Sequence, residues 1–238
     1  MLKGCGMQKG QKGQSDIISA VIIIVIAIGL VGTAYTWGLP LIQKRQDSAL
    51  ANRAFNYFNE DNMNSLVKKI ESIARNGGED TFSIDVNGIW TLYPCRDAEI
   101  GVRGCLSGDN IENNSIHFSL YSRVSNIGIN QGWITLSSTE ACPAGNAMIG
   151  SDPYVVCARA DSYAGGYNIT YRVQFRELEE SPQEGMNLTR GFKIVLLPAI
   201  NLTRSTGNLV RITGGNVYSQ DVGGNKTLII TEVKILLG

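Results

Sequence analysis

The sequence predicts an α+β fold: one long N-terminal hydrophobic helix followed by an all-β, sandwich-like C-terminal head domain. Three observations carry this. No charged residue occurs between residues 17 and 42. Apolar residues then recur at helical spacing as far as Ala74. From Thr81 the period changes to two, and glycine-rich turns separate short strand-like runs.

The apolar segment comes first. At 1.5 Å rise per residue its length as a helix is roughly 39 Å, against a hydrocarbon core of about 30 Å. It can therefore cross a membrane. Val21, Ile22, Ile23, Ile24, Val25 and Ile26 favour strand in water, but in lipid a lone segment satisfies its own backbone only as a helix. Tyr35 and Trp37 suit an aromatic belt at the membrane surface. Gly38 and Pro40 are expected to bend or locally open the upper part of this helix, because Pro40 has no N–H to donate.

Beyond it, Leu50, Ala54, Phe55 and Phe58, then Leu66, Val67, Ile70, Ile73 and Ala74, mark one apolar face of a continued helical region. Glu60-Asp61-Asn62 is a candidate interruption, which would make two helices, and Asn76-Gly77-Gly78 is a C-cap signal. Next, residues 81–86 and 89–93 flank Asn87-Gly88, the pattern of a hairpin with a type I′ turn. Further strands are expected over residues 117–124, 133–137, 154–158, 167–178, 192–197, 209–213, 217–221 and 227–236. Gly165-Gly166, Gly214-Gly215-Asn216 and Gly223-Gly224-Asn225 read as turns, the last two as consecutive hairpin corners.

The junction before the apolar run admits three readings. A secretory signal peptide would be cut after Gly32-Thr33-Ala34, before Tyr35. An uncut anchor would keep the whole segment. The third reading rests on Lys12-Gly13-Gln14-Ser15, followed by Asp16 and the apolar run, with Lys3 and Lys9 upstream. This pattern resembles the class III signal peptide of archaeal type IV pilins and archaellins. The resemblance covers the N-terminal segment alone. It implies cleavage by a membrane prepilin peptidase at Gly13-Gln14, with the apolar helix retained on the mature protein. Ile18 stands at the fifth mature position, where bacterial pilins carry the Glu that docks subunits. Asp16 is either a partial substitute or a helix N-cap. The domain plan is then a class III leader (1–13), a transmembrane and assembly helix (14–42), an amphipathic stalk region (43–76) and an extracellular β-rich head (77–238).

Composition bounds the function. The 238 residues are 43% hydrophobic and carry zero formal net charge, enough for one packed domain plus an anchor. Removal of the leader takes away three lysines and leaves 18 basic against 21 acidic residues. No basic patch is interleaved with aromatics, so nucleic acid is not an expected partner.

Cys5 falls in the leader; Cys95, Cys105, Cys142 and Cys157 remain. Four cysteines allow three pairings, none of which the sequence excludes. The local pairs Cys95 with Cys105 and Cys142 with Cys157 are the favoured ones, each closing a Gly-rich loop; a zinc site and free thiols are the other readings. Asn113, Asn168, Asn187, Asn201 and Asn225 each begin an Asn-x-Ser/Thr triplet, which places the head outside the cytosol and the N-terminus inside.

Catalytic chemistry finds little support. There is one histidine, His117, and no Gly-x-Ser-x-Gly, phosphate-binding loop, His-Glu-x-x-His or dinucleotide fingerprint. Neither catalytic nor metal residues, nor any cofactor, are assigned. Glu177, Glu179, Glu180 and Glu184 are a candidate calcium cluster or, more simply, a solvated strand end. Trp90, Trp133 and the tyrosines are candidates for a sugar-binding face or for the core.

The resemblance implies a non-enzymatic structural subunit of a type IV pilus-like surface filament. It would be a single-pass membrane protein before assembly, with a prepilin peptidase, a pilus assembly platform and copies of itself as partners. The other readings are an accessory or stator-like anchored β-sandwich protein, an anchored sugar- or calcium-binding module, and an anchored enzyme.

Overall fold

The computed structural model describes residues 12–95, 113–136, 142, 149–150, 152–179, 189–223 and 225–238. Helix α1 (Lys12–Phe58) is followed by α2 (Leu66–Asn76), then by twelve strands among the described residues. These are β1 (Glu79–Ser83), β2 (Ile89–Tyr93), β3 (Ser115–Ser122), β4 (Ile134–Thr135), β5 (Ile149–Gly150), β6 (Tyr154–Tyr163), β7 (Gly166–Phe175), β8 (Glu177–Glu179), β9 (Thr189–Pro198), β10 (Arg204–Ser205), β11 (Leu209–Gly223) and β12 (Lys226–Leu237). The chain divides into two compact units, Met1–Gln46 and Asp47–Gly238.

In the first unit α1 is apolar and unbroken through Gly38 and Pro40. The missing Pro40 N–H removes one ladder bond without ending the element. Thr33 Oγ1 donates to Gly29 O at 2.6 Å, and Thr36 Oγ1 to Thr33 O at 3.0 Å, so both hydroxyls are satisfied inside the helix.

The second unit is built on two six-stranded sheets, of which one is mixed. Sheet A has the order β1-β11-β12-β9-β8-β5, and sheet B the order β10-β2-β3-β7-β6-β4. Sheet B is antiparallel throughout, whereas β12 runs parallel to β9 and β5 parallel to β8 in sheet A. The helical region enters this core. Ala51, Ala54 and Phe58 of α1 and Leu66, Val67 and Ile70 of α2 are fully buried in one cluster with side chains from both sheets. Phe58 stacks on Tyr171 at 4.9 Å and touches Phe118 and Trp90 at 5.9 and 6.0 Å. Helix α1 ends there, just before the acidic interruption, and Gly77, with φ of 71°, closes α2.

Two turn assignments are corrected. Residues 81–93 do not form a hairpin: β1 pairs with β11 in sheet A, whereas β2 pairs with β3 and β10 in sheet B. Neither Asn87 nor Gly88 takes the positive φ that a type I′ turn requires. The reason is parity. A two-residue turn would set Phe82, Ile84 and Val86 on the face shared with Ile89, Thr91 and Tyr93, yet Trp90 and Leu92 are the buried pair. Both apolar sets reach one interior only if the chain crosses between sheets. Gly88 serves close approach instead, since a Cβ there would collide with the Phe118 ring.

Likewise Gly214-Gly215-Asn216 is no corner. It is a bulge inside the single long strand β11, where the register to β12 shifts between Gly214 and Val217. Two of the other expected turns, at Gly165-Gly166 and at Gly223-Gly224-Asn225, do join hairpins. Ala164 and Gly165, with φ of 46° and 77°, join β6 to β7, and Asn225, with φ of 62°, sits between β11 and β12. The expected strand 167–178 is also split, because β7 ends at Phe175 in sheet B and β8 begins at Glu177 in sheet A.

Candidate functional site

The first feature is the surface of α1. Its apolar side chains between Ile17 and Ile42 are exposed, from 45% for Leu39 to 78% for Trp37. By length and composition this is a helix able to cross a membrane. An all-round apolar helix needs lipid or other helices as its surroundings. Of Lys12, Gly13, Gln14 and Ser15 only the backbone is described, and it is helical from Lys12.

The head carries a disulfide between Cys142 and Cys157, residues 15 apart in sequence and 5.9 Å between Cα atoms. Cys142 N also donates to Thr135 Oγ1 at 2.6 Å, which ties Cys142 to β4 as the disulfide ties it to β6. Cys95 is disulfide-bonded as well; Cys105, the local partner expected from the sequence, lies outside the described residues.

The acceptor asparagines differ in their surroundings. Asn201 is exposed in a loop and Asn225 is exposed at the β11–β12 turn. Asn168 is half-buried within β7, between Tyr121 and Asp161 on neighbouring strands. Asn113 is half-buried, and Asn187 lies outside the described residues.

On the face of sheet B turned from the core, His117 lies opposite Arg172 and Arg172 opposite Cys157. Burial, followed by the charges of Arg172 and Arg159, pushes the His117 pKa down to about 3. The ring is therefore neutral at physiological pH. It is 3.0 Å from Ser115 Oγ and edge-on to Trp133. Trp133 in turn covers the guanidinium groups of Arg172 at 4.2 Å and Arg159 at 4.9 Å. Trp90 is fully buried in the core. Among the described residues of the head the exposed tyrosines include Tyr121, Tyr163 and Tyr218, and Tyr121 donates its hydroxyl to Ala164 O at 3.2 Å.

The acidic cluster is corrected in part. Glu177 is not a solvated strand end: it is 2% exposed, with Oε1 2.6 Å from Lys226 Nζ. It reaches across β9 at Gly191, where a Cβ would stand 3.0 Å from that oxygen. Glu180 and Glu184 lie outside the described residues. Among the described residues no three His, Cys, Asp or Glu side chains converge as metal ligands.

Several residues escaped sequence reasoning. Lys193, 2% exposed and opposite Glu177, has an Nζ without a hydrogen-bond partner. Burial pushes its pKa down to about 8, against the pull of Glu177. Asn114, at φ 58°, donates to Phe175 O at 3.0 Å and Ile194 O at 2.7 Å and accepts from Leu196 N at 2.8 Å. It thereby joins β7 of one sheet to β9 of the other. A third is Asp85, which accepts from Arg53 at 2.7 Å and Tyr57 at 2.9 Å. These bonds, that of Arg53 first, hold its carboxyl below the usual range and clamp the crossing segment to the last turns of α1.

A cavity of about 290 Å³ opens between α2 and the β9–β12 pair, lined chiefly by Ala74, Pro153, Phe192, Ile194 and Ile229. Glu71 and Arg75, paired at 2.9 Å, also line it, as do Lys193 and Thr231.

No protein-family model, curated protein or solved structure matches the chain. In architecture, a long N-terminal apolar helix followed by a β-rich head is consistent with the broad type IV pilin and archaellin-like superfamily, and with a filament-forming surface subunit in general.

Proposed function

We propose that this chain is a structural subunit of an archaeal type IV pilus-like surface filament. It is inserted as a prepilin, cut at Gly13-Gln14 by a separate peptidase, and assembled through its N-terminal helix. It performs no catalysis of its own. The observation that carries this reading is the all-round exposed apolar surface of residues 17–42 on a helix whose final turns are buried in the head core.

In the membrane, lipid covers that surface. In a filament the same surface packs against helices of other copies, which replace lipid as its apolar surroundings. The lysines of the leader hold the junction on the cytoplasmic side. The head, stabilised by its disulfides and carrying a glycan at Asn225, stands outside.

Shearing cells of the native host and sedimenting the released material tests this. Recovery of the chain in filaments supports it. Strict retention in the membrane would overturn the filament role and leave an anchored accessory protein.

A further inference from the structure

The sequence holds two Asn-Gly steps, Asn76-Gly77 and Asn87-Gly88. At such a step the backbone nitrogen of the glycine can attack the side-chain carbonyl carbon of the asparagine, and glycine has no Cβ to obstruct the approach. Sequence makes the two steps equal. The fold does not, because the attacking nitrogen must be released from hydrogen bonding.

At the first step the nitrogen is engaged. Asn76 is the last residue of α2, and Gly77 N donates to Ile73 O at 2.8 Å as the helix cap. Asn76 Nδ2 also donates to Ser72 Oγ at 3.4 Å. Attack there requires the cap to open first. The second step lies in the link by which the chain leaves sheet A for sheet B, where Asn87 is exposed and Gly88 half-buried. Gly88 N has no backbone acceptor among the described residues. We propose that Asn87 is a site of spontaneous modification in the folded head, converting to isoaspartate and aspartate, whereas Asn76 keeps its amide.

The reaction needs water alone as co-reactant. Gly88 N gives its proton to solvent base and bonds to Asn87 Cγ; the amide Cγ–N bond breaks, and that nitrogen takes a proton from solvent and leaves as ammonia. Water then opens the five-membered imide. Breaking the new bond from Gly88 N to Cγ yields aspartate. Breaking the bond from Gly88 N to the main-chain carbonyl carbon yields isoaspartate, with the chain now running through Cγ. No group is oxidised or reduced.

Isoaspartate lengthens the backbone by one methylene, about 1.5 Å, in a segment anchored on both sides. Asp85 is held by Arg53 at 2.7 Å and Tyr57 at 2.9 Å. Gly88 lies so close to the Phe118 ring that a Cβ would collide with it, and Trp90 beyond is fully buried. The extra length is therefore taken up in the crossing itself, and the head loses stability as isoaspartate accumulates. The aspartate product adds a charge without lengthening the chain.

The test ages the full chain in detergent micelles, in mildly alkaline buffer made with ¹⁸O-labelled water, and maps peptides by mass spectrometry with isoaspartate scored by enzymatic methylation. Label is expected to enter at Asn87, with Asn76 slower on the order of tenfold because its reaction waits on opening of the cap. In denaturant the two rates should converge. An intact amide at Asn87 of the folded chain, equal rates at both sites before denaturation, or a ratio that persists in denaturant would each overturn the proposal.

A variant separates charge from chain length. Asn87→Asp is expected to unfold at the same denaturant concentration as fresh wild type, and wild type enriched in isoaspartate at a lower one. Equal losses in both, or no loss in either, would overturn the strain assigned to the crossing.

Discussion

The two ends of α1 solve the same problem with different solvents. Between residues 17 and 42 no side chain of the helix is buried, although most are apolar. Over residues 47–58 of the same helix, Ala51, Ala54 and Phe58 are fully buried by the sheets. Tyr171, its hydroxyl pKa raised by burial, donates to Ala51 O at 3.3 Å. Helical structure is therefore no guide to what stabilises a segment. The C-terminal turns are held by packing that the chain itself supplies, whereas the N-terminal turns depend on lipid or on other copies.

This contrast can be broken from either end. Phe58→Ala removes the ring that stacks on Tyr171 and is expected to destabilise the head by about 3–5 kcal/mol. Chemical denaturation followed by Trp90 fluorescence would register it, with membrane insertion unaffected. Ile24→Arg does the reverse. A charge at the centre of a spanning helix costs about 2.5–3.5 kcal/mol on insertion scales, so membrane and filament fractions should fall while the denaturation curve of the head stays put.

Within the head, replacing Cys142 and Cys157 together by Ser opens a loop closed over a separation of 15 residues. A loss of about 3 kcal/mol is expected, read as a lower denaturation midpoint.

Lys193 sharpens the comparison with opposite sign. Its folded pKa of about 8 lies below the ordinary 10.5, so the unfolded chain binds the extra proton between those values. Stability contributed by this site therefore rises as pH increases from about 8 to 10.5, by roughly 3 kcal/mol in all. Lys193→Met should be more stable than the wild type at pH 7, and the difference should shrink toward pH 10.5. A constant difference would contradict the assignment. The smallest effect is expected for Asp85→Asn, which weakens a half-exposed pair with Arg53. About 0.5–1 kcal/mol is expected at pH 7, declining as the wild-type carboxyl is protonated in acid.

Local signals in the sequence were read well where the cause was local. The apolar run, the acidic break after Phe58 and the change to period two each follow from solvent and spacing within a few residues. Partner choice was not local. The Asn87-Gly88 pattern meets the chemistry of a tight turn, but the buried parity of Phe82, Ile84 and Val86 against Trp90 and Leu92 forbids one, and parity is decided by where the interior lies. Gly214-Gly215 failed for a related reason, because a bulge and a corner use the same residues. Glu177 and Lys193 look like ordinary charged strand residues until β8 and β9 set them opposite each other and the fold buries both. Asn114 was hidden by its sequon, since an amide that joins two sheets has no spacing signature.

The mature N-terminus of protein taken from the native host, determined by mass spectrometry, addresses the central claim most directly. A chain beginning at Gln14, with the apolar helix intact, is the expected result. A chain beginning at Tyr35 would mean that the helix is discarded, and an intact leader would mean that no prepilin peptidase acts; either would contradict assembly through this helix as proposed.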